Sequence, residues 1–402
     1  MRAVLLDNIS PDRVSMGLPS FRQVSMEEYP EAIFLRSTDL KNIDLPKSLL
    51  AIGRAGAGVD NIPVDFCSQR GIVVFNAPGA NANSVKELVL GMMLNAVRNI
   101  SPSTNFSSGL VREHLKNVAC RGVDPRLVPG LIKKDIEKMK KEFKGEEIAG
   151  KSVLIIGLGA IGSSLAKSCI ALGMSVYGFD PYALSEKFAG ITKVGSLDNL
   201  PKCDFVSIHA ASTDETKGMV NDKFLDQLDG AILLNFSRGD LIDAKAVAKA
   251  LVDGHLRLYI SDFVNMELSR DFPQKTIFTP HLGASTKEAE ERSVKMVVGQ
   301  MYAFMETGRI QNSVNFPNCE LLPRTHCRLV ISRFDNSEEM AWLSALLMEY
   351  GYNALQTVSK SRGRVSYSIM DIKNPDERIQ DMIERLAARN QITRVRLIQT
   401  PA

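Results

Sequence analysis

The stretch VLIIGLGAIGSSLAKSCIALGMSVYGFD, residues 153–180, constrains this chain more than any other. An apolar run leads into Gly157, Gly159 and Gly162, a helical segment follows, and a second apolar run ends at Asp180. G-x-G-x-x-G alone occurs by chance, but between a strand and a helix each glycine has a mechanical task. Gly157 makes the tight turn, Gly159 lets main chain approach a pyrophosphate, and Gly162 lets helix pack closely on strand. The amides of Ala160 and Ile161 then face the phosphates at a helix N-terminus, where the helix dipole favours negative charge. Asp180 lies 18 residues after Gly162, where this motif puts an acid for ribose hydroxyls. A carboxylate there repels a 2′-phosphate, so the expected cofactor is NAD and not NADP.

Composition is that of an ordinary soluble globular protein and argues against several other classes. Of 402 residues, 45% are hydrophobic and 24% charged, enough for two or three domains with their own cores. The 49 basic and 46 acidic residues nearly balance, which argues against a dedicated nucleic-acid or membrane-surface binder. MRAVLLDNIS carries too short an apolar run for a signal peptide, and no apolar stretch approaches the ~18 residues that span a bilayer. The six cysteines form no Cys-x-x-Cys pair, so reduced thiols in the cytoplasm are expected, with no metal site.

Residues 1–100 alternate short apolar runs (RAVLLD, AIFLRS, LLAIGRA, GIVVFN) with helical stretches, the pattern of a parallel α/β sheet. NSVKELVLGMMLNAVRN reads as a helix. Residues 101–150 read as a connector, with Pro-containing turns followed by a charged amphipathic helix. A second α/β unit then runs to residue 281 through KSVLIIG, MSVYGFD, DFVSIHA, GAILLNF, LYISDF and TIFTP. The helical stretch after it, within 282–310, completes the first domain. A turn-rich linker covers 311–325. Residues 326–402 follow in the order βαββαβ, a ferredoxin-like pattern.

Three reactive residue types fall at ends of second-unit strands: Arg238 after AILLNF, Glu267 after LYISDF and His281 after TIFTP. Open α/β sheets bind ligands at those ends. An arginine fork holds a carboxylate, a histidine near neutral pKa moves a proton on a substrate oxygen, and a neighbouring carboxylate favours the imidazolium. Arg238-Gly239-Asp240 also matches the tripeptide that adhesion receptors read on secreted ligands, but a turn behind a core strand makes that match accidental.

The stretches IGRAGAGVDNIPVDFCSQRGIVVFNAPGANANSVKEL, IIGLGAIGSSLA, NFSRGDLID, SDFVNME and TPHLGAST, over roughly residues 30–318, resemble the D-isomer-specific 2-hydroxyacid dehydrogenases. The resemblance implies two doubly wound parallel-sheet domains: a flavodoxin-like, discontinuous substrate domain and a Rossmann cofactor domain. It implies that Arg238 binds substrate carboxylate and carbonyl, that His281 is the acid–base, and that Glu267 is its partner. It implies that Asp262 meets the nicotinamide carboxamide, that His209, Thr216 and Phe236 line the cofactor cleft, and that Ala57 and Gly58 offer amides to the carboxylate. Arg36 and Arg54 fall at the substrate cleft, with Lys86 a weaker candidate. Twofold packing of the helices flanking the glycine loop implies a homodimer or homotetramer.

The branch that oxidises 3-phospho-D-glycerate to 3-phosphohydroxypyruvate, opening the phosphorylated route to serine, fits best, because VNFPNCEL and the βαββαβ tail resemble an ACT-like regulatory module. That module often binds an amino-acid effector at a His-x-Asn-x-Pro-Gly turn. Here ISRFDNSEEM stands in its place, with Ser332 or Arg333 near the histidine position. Ala211 and Leu268 stand where the family usually has proline. The alternatives are a hydroxypyruvate or glyoxylate reductase on the same scaffold and a cofactor-sensing, corepressor-like binding protein.

Overall fold

The computed structural model describes residues 1–121, 123–321, 327–334, 337–373 and 375–399, without the side chains of 337–339. Residues 322–325 of the expected linker, residue 326 of the expected last domain, residues 335–336 after its first strand, and 400–402 lie outside the described residues. The chain divides into two compact units, residues 1–81 with 286–402, and residues 82–285.

In the first unit, β1 (Arg2–Leu5), β2 (Arg22–Gln23), β3 (Ala32–Leu35), β4 (Ala51–Arg54) and β5 (Val73–Phe75) form a parallel sheet in the order β2-β1-β3-β4-β5, the flavodoxin-like order. Successive side chains of β3 enter opposite cores. Ala32 and Phe34 meet Val294, Val297 and Met301 of helix Lys287–Thr307, while Ile33 and Leu35 pack with Leu40, Leu49 and Ile62. A strand covered on both faces reads as a continuous apolar run. The two-residue β2 was not expected from FRQV, whose place is set by pairing with β1 rather than by burial.

The second unit holds β6 (Ser152–Ile156), β7 (Ser175–Phe179), β8 (Thr192–Lys193), β9 (Phe205–Ile208), β10 (Ala231–Asn235), β11 (Leu256–Ser261) and β12 (Thr276–Phe278). They form a seven-stranded parallel sheet in the order β12-β11-β10-β9-β6-β7-β8. The chain winds from β6 outward to β8 and then returns to β9 on the other side of β6. The crevice beyond the C-terminal ends of β6 and β9 is therefore the switch point where ligands bind in doubly wound sheets. The connector departs from expectation: helix Ile100–Arg121, 22 residues long, precedes the Pro-containing turn and helix Val128–Met139. Pro102 sits in the first turn, where a missing N–H costs no helical bond, and the hydroxyls of Ser103 and Thr104 donate to Ile100 O at 2.9 and 2.8 Å.

β13 (Cys327–Phe334), β14 (Ala354–Arg362), β15 (Val365–Ile372) and β16 (Ile392–Ile398), with helices Ser337–Glu349 and Ile379–Ala387, complete the first unit as an antiparallel βαββαβ sheet in the order β14-β15-β13-β16. Leu329 and Ile331 face its own helices, packing with Leu343, Leu347, Met382 and Leu386. Its other face, carrying Val330, Tyr367 and Ile369, closes over Val294, Phe304 and Phe316. There the sheet stops helix Lys287–Thr307. Arg328 Nη1 donates to Thr307 O at 2.9 Å, the Tyr367 hydroxyl to Gly308 O at 2.7 Å, and Arg396 to Phe304 O at 3.3 Å and Met305 O at 3.1 Å. Carbonyls left over at a helix end find donors, two of them cationic and so matched to the dipole.

No helix among the described residues is long and apolar enough to cross a membrane. All six cysteines are free, and burial pushes the thiols of Cys67, Cys169 and Cys203 up to about 12.

Candidate active site

The glycine loop leaves β6 with Gly157 at φ +91°, where a Cβ would stand 2.7 Å from the main chain of His209. A Cβ on Gly162 would collide with Gly157 O, whereas one on Gly159 would meet nothing within 4 Å. The first and third glycines are thus held by the protein's own packing, and the second faces open space. Gly159 is also the N-cap of helix Ala160–Ala171, with no side chain capping it, so the amides of Ala160 and Ile161 are left for an outside acceptor. The loop fits a pyrophosphate.

A cavity of about 760 Å³ opens beside it, lined by Gly157, Gly159, Asp180, His209, Thr216 and Met219 among others. Asp180 ends β7; its Oδ2 accepts from Leu158 N at 2.8 Å and its Oδ1 from Tyr182 N at 2.9 Å. Its carboxylate therefore braces the glycine loop as well as facing the cavity. Thr216 ties its own loop, its hydroxyl donating to Ala211 O at 2.6 Å and accepting from Thr213 N at 2.8 Å. His209 Nε2 meets Ser207 Oγ at 2.8 Å. Part of the ring borders the cavity, but Nδ1 is sealed from solvent without a partner, and burial pushes the imidazole down to about 4. It is neutral at neutral pH. Phe236 is buried in the core with Leu158, Ile232 and Ile260 instead of lining this cavity.

Arg238 is half-buried just beyond β10, and its Nη1 donates to Ser237 O at 2.8 Å. The turn that carries it is organised by Asn235, which is fully buried. Its side chain donates to Arg238 O at 2.8 Å and accepts from Ser237 N at 3.1 Å. Ser261 Oγ donates to Asn235 O at 3.0 Å, joining the ends of β10 and β11. Sequence reasoning passed over Asn235, though an amide at the end of AILLN was the available signal: a buried polar side chain has bonds to make.

Asp262 is 4% exposed and takes up the His281 loop, accepting from Leu282 N at 3.1 Å, Gly283 N at 2.7 Å and the Thr279 hydroxyl. A Cβ at Gly283 would stand 3.0 Å from Asp262 Oδ2, so the grip leaves little room for a side chain there. His281 is held at φ +53°, with its ring exposed and its centroid 5.0 Å from that of Phe263. A non-glycine residue in that conformation is uncommon and clusters at functional positions. Glu267 lies in the first turn of helix Met266–Asp271, which Asn265 caps by accepting from Leu268 N at 2.9 Å. Glu267 is exposed too, and among the described residues it is in no ion pair with His281; the histidine ion pairs are His114 with Asp135 and His255 with Asp226. Lys86 donates to Asn83 Oδ1 at 2.6 Å.

Arg36, Arg54, Ala57 and Gly58 belong to the first unit, after β3 and β4. Asp7, beyond β1, gathers the chain after β3: its Oδ2 accepts from the main-chain N–H groups of Arg36 and Ser37 at 2.7 Å and Thr38 at 3.0 Å, and its Oδ1 from the Thr38 hydroxyl at 2.7 Å. Burial acts to raise this carboxyl, but the four bonds together outweigh it and hold it at about 2. Arg36 Nη1 is ion-paired with Glu290. Arg54 folds over Gly56, where a Cβ would collide with its guanidinium. The N–H groups of Ala57 and Gly58 have no main-chain partner among the described residues.

Residues 130–283 match the family model described as D-isomer specific 2-hydroxyacid dehydrogenase, NAD binding domain. The chain is 34% identical over 325 residues to a D-3-phosphoglycerate dehydrogenase of Methanocaldococcus jannaschii, covering 78% of this chain and 57% of that one. It is 31% identical over 349 residues to the D-3-phosphoglycerate dehydrogenase of Haemophilus influenzae, covering 83% of this chain and 78% of the relative. It spans somewhat over half the length of the archaeal relatives, 57% and 54%. In fold it resembles an NAD+-bound 3-phosphoglycerate dehydrogenase of Entamoeba histolytica, with TM-score 0.61 at 24% identity over 78% of this chain and 98% of that one. A glyoxylate reductase of Paecilomyes thermophila is as near in fold, with TM-score 0.60 at 23% identity, covering 78% of this chain and 98% of that one. Since the match to the bacterial relative runs through both units and most of both proteins, the chain belongs to the D-isomer-specific 2-hydroxyacid dehydrogenase family.

Proposed function

We propose that this protein oxidises 3-phospho-D-glycerate to 3-phosphohydroxypyruvate, the step that opens the phosphorylated route to serine, in the cytoplasm, where its thiols stay reduced. The observation that carries this reading is the similarity to D-3-phosphoglycerate dehydrogenases along most of the chain, at 31–34% identity. The two arginines ending β3 and β4 supply the fixed positive charge that a phosphate needs.

NAD, held by the glycine loop and Asp180, would supply the hydride acceptor for C2 of the substrate. Arg238 clamps the substrate carboxylate in a bidentate grip, helped by the amides of Ala57 and Gly58. His281 takes the proton of the C2 hydroxyl, and Glu267 steadies the imidazolium so formed. Asp262 fixes the loop that presents His281 and meets the carboxamide of the nicotinamide. Arg36 and Arg54 hold the phosphate. Asp180 takes the ribose hydroxyls, the Ala160 and Ile161 amides the pyrophosphate, and His209 and Thr216 line the rest of the cofactor cleft.

The chain is further read as a homodimer or homotetramer built through the arm 100–139, whose helices expose Val111, Leu115, Leu131 and Ile136. The C-terminal ACT-like module is read as serving assembly rather than an amino-acid effector. Near the expected effector turn, Arg333 is buried and donates to Ser368 Oγ at 3.0 Å and Ser359 Oγ at 3.4 Å, so its side chain fills the space.

NADH absorbance followed with phosphohydroxypyruvate, hydroxypyruvate and 2-oxoglutarate in parallel tests this. Fast loss with the phosphorylated acid alone supports the proposal. Preference for hydroxypyruvate makes the protein a reductase of that acid or of glyoxylate, and no turnover with any of them favours a cofactor-sensing binding protein.

A further inference from the structure

We propose that Glu290 tunes phosphate affinity: its carboxylate competes with the substrate's phosphate for the guanidinium of Arg36, so the pair opens to a dianion and stays closed against a neutral group. The inference rests on the reading that Arg36 receives the substrate's phosphate.

Arg36 is prepared for a ligand from two directions. Its main chain is fixed by Asp7, which binds three consecutive N–H groups from Arg36 to Thr38. Its side chain is ion-paired to Glu290, in the first turn of helix Lys287–Thr307. The positive end of the helix dipole favours a carboxylate in the first turn, so Glu290 suits its place without Arg36. The neighbouring cations are engaged elsewhere: Arg13 with Glu291 at 2.7 Å, and Arg292 Nε with Ala80 O at 3.0 Å. Thus Arg36 is the cation that Glu290 reaches.

Arg36 and Glu290 are 30% and 43% exposed. An ion pair so open to water is weak, a factor of about two to five in an equilibrium. A phosphate brings close to two negative charges and three acceptor oxygens, and an arginine fork binds it in bidentate fashion. It therefore displaces one carboxylate oxygen at little cost, and Glu290 returns to solvent at its helix end. A hydroxymethyl group offers no charge in exchange, so against it the pair stays closed. The contact thus weakens phosphate binding slightly and leaves the binding of unphosphorylated acids unchanged.

The experiment compares wild type, Glu290→Gln and Arg36→Ala/Glu290→Gln as full-length protein. It uses steady-state kinetics with phosphohydroxypyruvate and hydroxypyruvate, and calorimetric titration with inorganic phosphate. In Glu290→Gln, KM for the phosphorylated acid and Kd for phosphate should fall by about two- to fivefold. The change should fall on KM rather than kcat, with KM for hydroxypyruvate unmoved, and the double variant should lose the gain in phosphate affinity. An unchanged or raised KM and Kd in Glu290→Gln overturns the proposal, and Glu290→Ala repeats the test should the first variant fold poorly. Wild type that ignores the phosphorylated acid while turning over hydroxypyruvate sinks the substrate reading instead, so the two failures are distinct.

Discussion

Asp371 grips Arg328 with both carboxylate oxygens, at 2.7 Å from Nε and 2.9 Å from Nη2, where the two side chains are 3% and 0% exposed. Removing one partner leaves the other charge buried without compensation. Asp371→Ala should therefore lower the unfolding free energy by about 3–5 kcal/mol in urea denaturation. Replacing both with apolar residues, Arg328→Met with Asp371→Leu, should cost clearly less. Equal losses would assign the stability to the bond that Arg328 makes to Thr307 O.

Turnover should depend on Arg238 and His281 in different ways. Arg238→Ala should abolish most activity while NAD affinity, read by fluorescence titration, stays near wild type, since only the substrate clamp is lost. His281→Ala should cost roughly a hundredfold or more in kcat and flatten its pH dependence. A full-rate His281 variant would remove it from the proton step.

Asp7→Ala should raise KM for the phosphorylated acid about tenfold with a smaller effect on kcat, because the chain carrying Arg36 loses four bonds at once. As this carboxyl is held at about 2, it is ionised in any practical assay, and the penalty should not vary between pH 6 and 9. An equal loss of kcat and KM on both phosphorylated and unphosphorylated acids would make Asp7 merely structural.

His209 should make the fold acid-sensitive earlier than its carboxylates do. Burial holds its imidazole at about 4 against an ordinary 6.5, so as pH falls the unfolded chain protonates first. The stability tied to the neutral ring is complete above about 6.5 and is lost progressively down to about 4. Between pH 7 and 4.5, Tm of wild type should fall more steeply than that of His209→Gln. Parallel curves would contradict the sealed position of Nδ1.

Asp180→Ala should relax the preference for NAD over NADP by relieving repulsion of a 2′-phosphate. It should also raise KM for NAD, because the Leu158 amide loses its acceptor. Unchanged discrimination would point to another contact at the ribose.

The sheets were legible because their strands are buried on both faces and write themselves as apolar runs: AIFL, SVLII and AILLN need no context. The glycine loop was legible because sterics leave Gly157 and Gly162 no alternative. Strands of two residues, such as Arg22–Gln23 and Thr192–Lys193, carry no pattern, since pairing with a neighbour creates them. Helix Ile100–Arg121 was missed because none of its residues is fully buried, so no apolar periodicity marks it, and its one proline and run of serines suit a loop as well as a helix. In the candidate site, residues with distinctive chemistry stood out at strand ends, whereas those that aim them did not. Asn235 and Asp7 look ordinary until the chain folds beside them, because their partners are main-chain amides, which every residue has.

The capping of helix Lys287–Thr307 by the last sheet bears on how such a protein can change over generations. A sheet that closes another domain's core has a structural task that does not depend on binding any ligand. Here Arg328, Tyr367 and Arg396 stop a helix of the neighbouring domain, and Val330 and Ile369 close its core. A lineage cannot then discard this sheet, because deletion would strip the helix of the partners at its end and open the core beneath it.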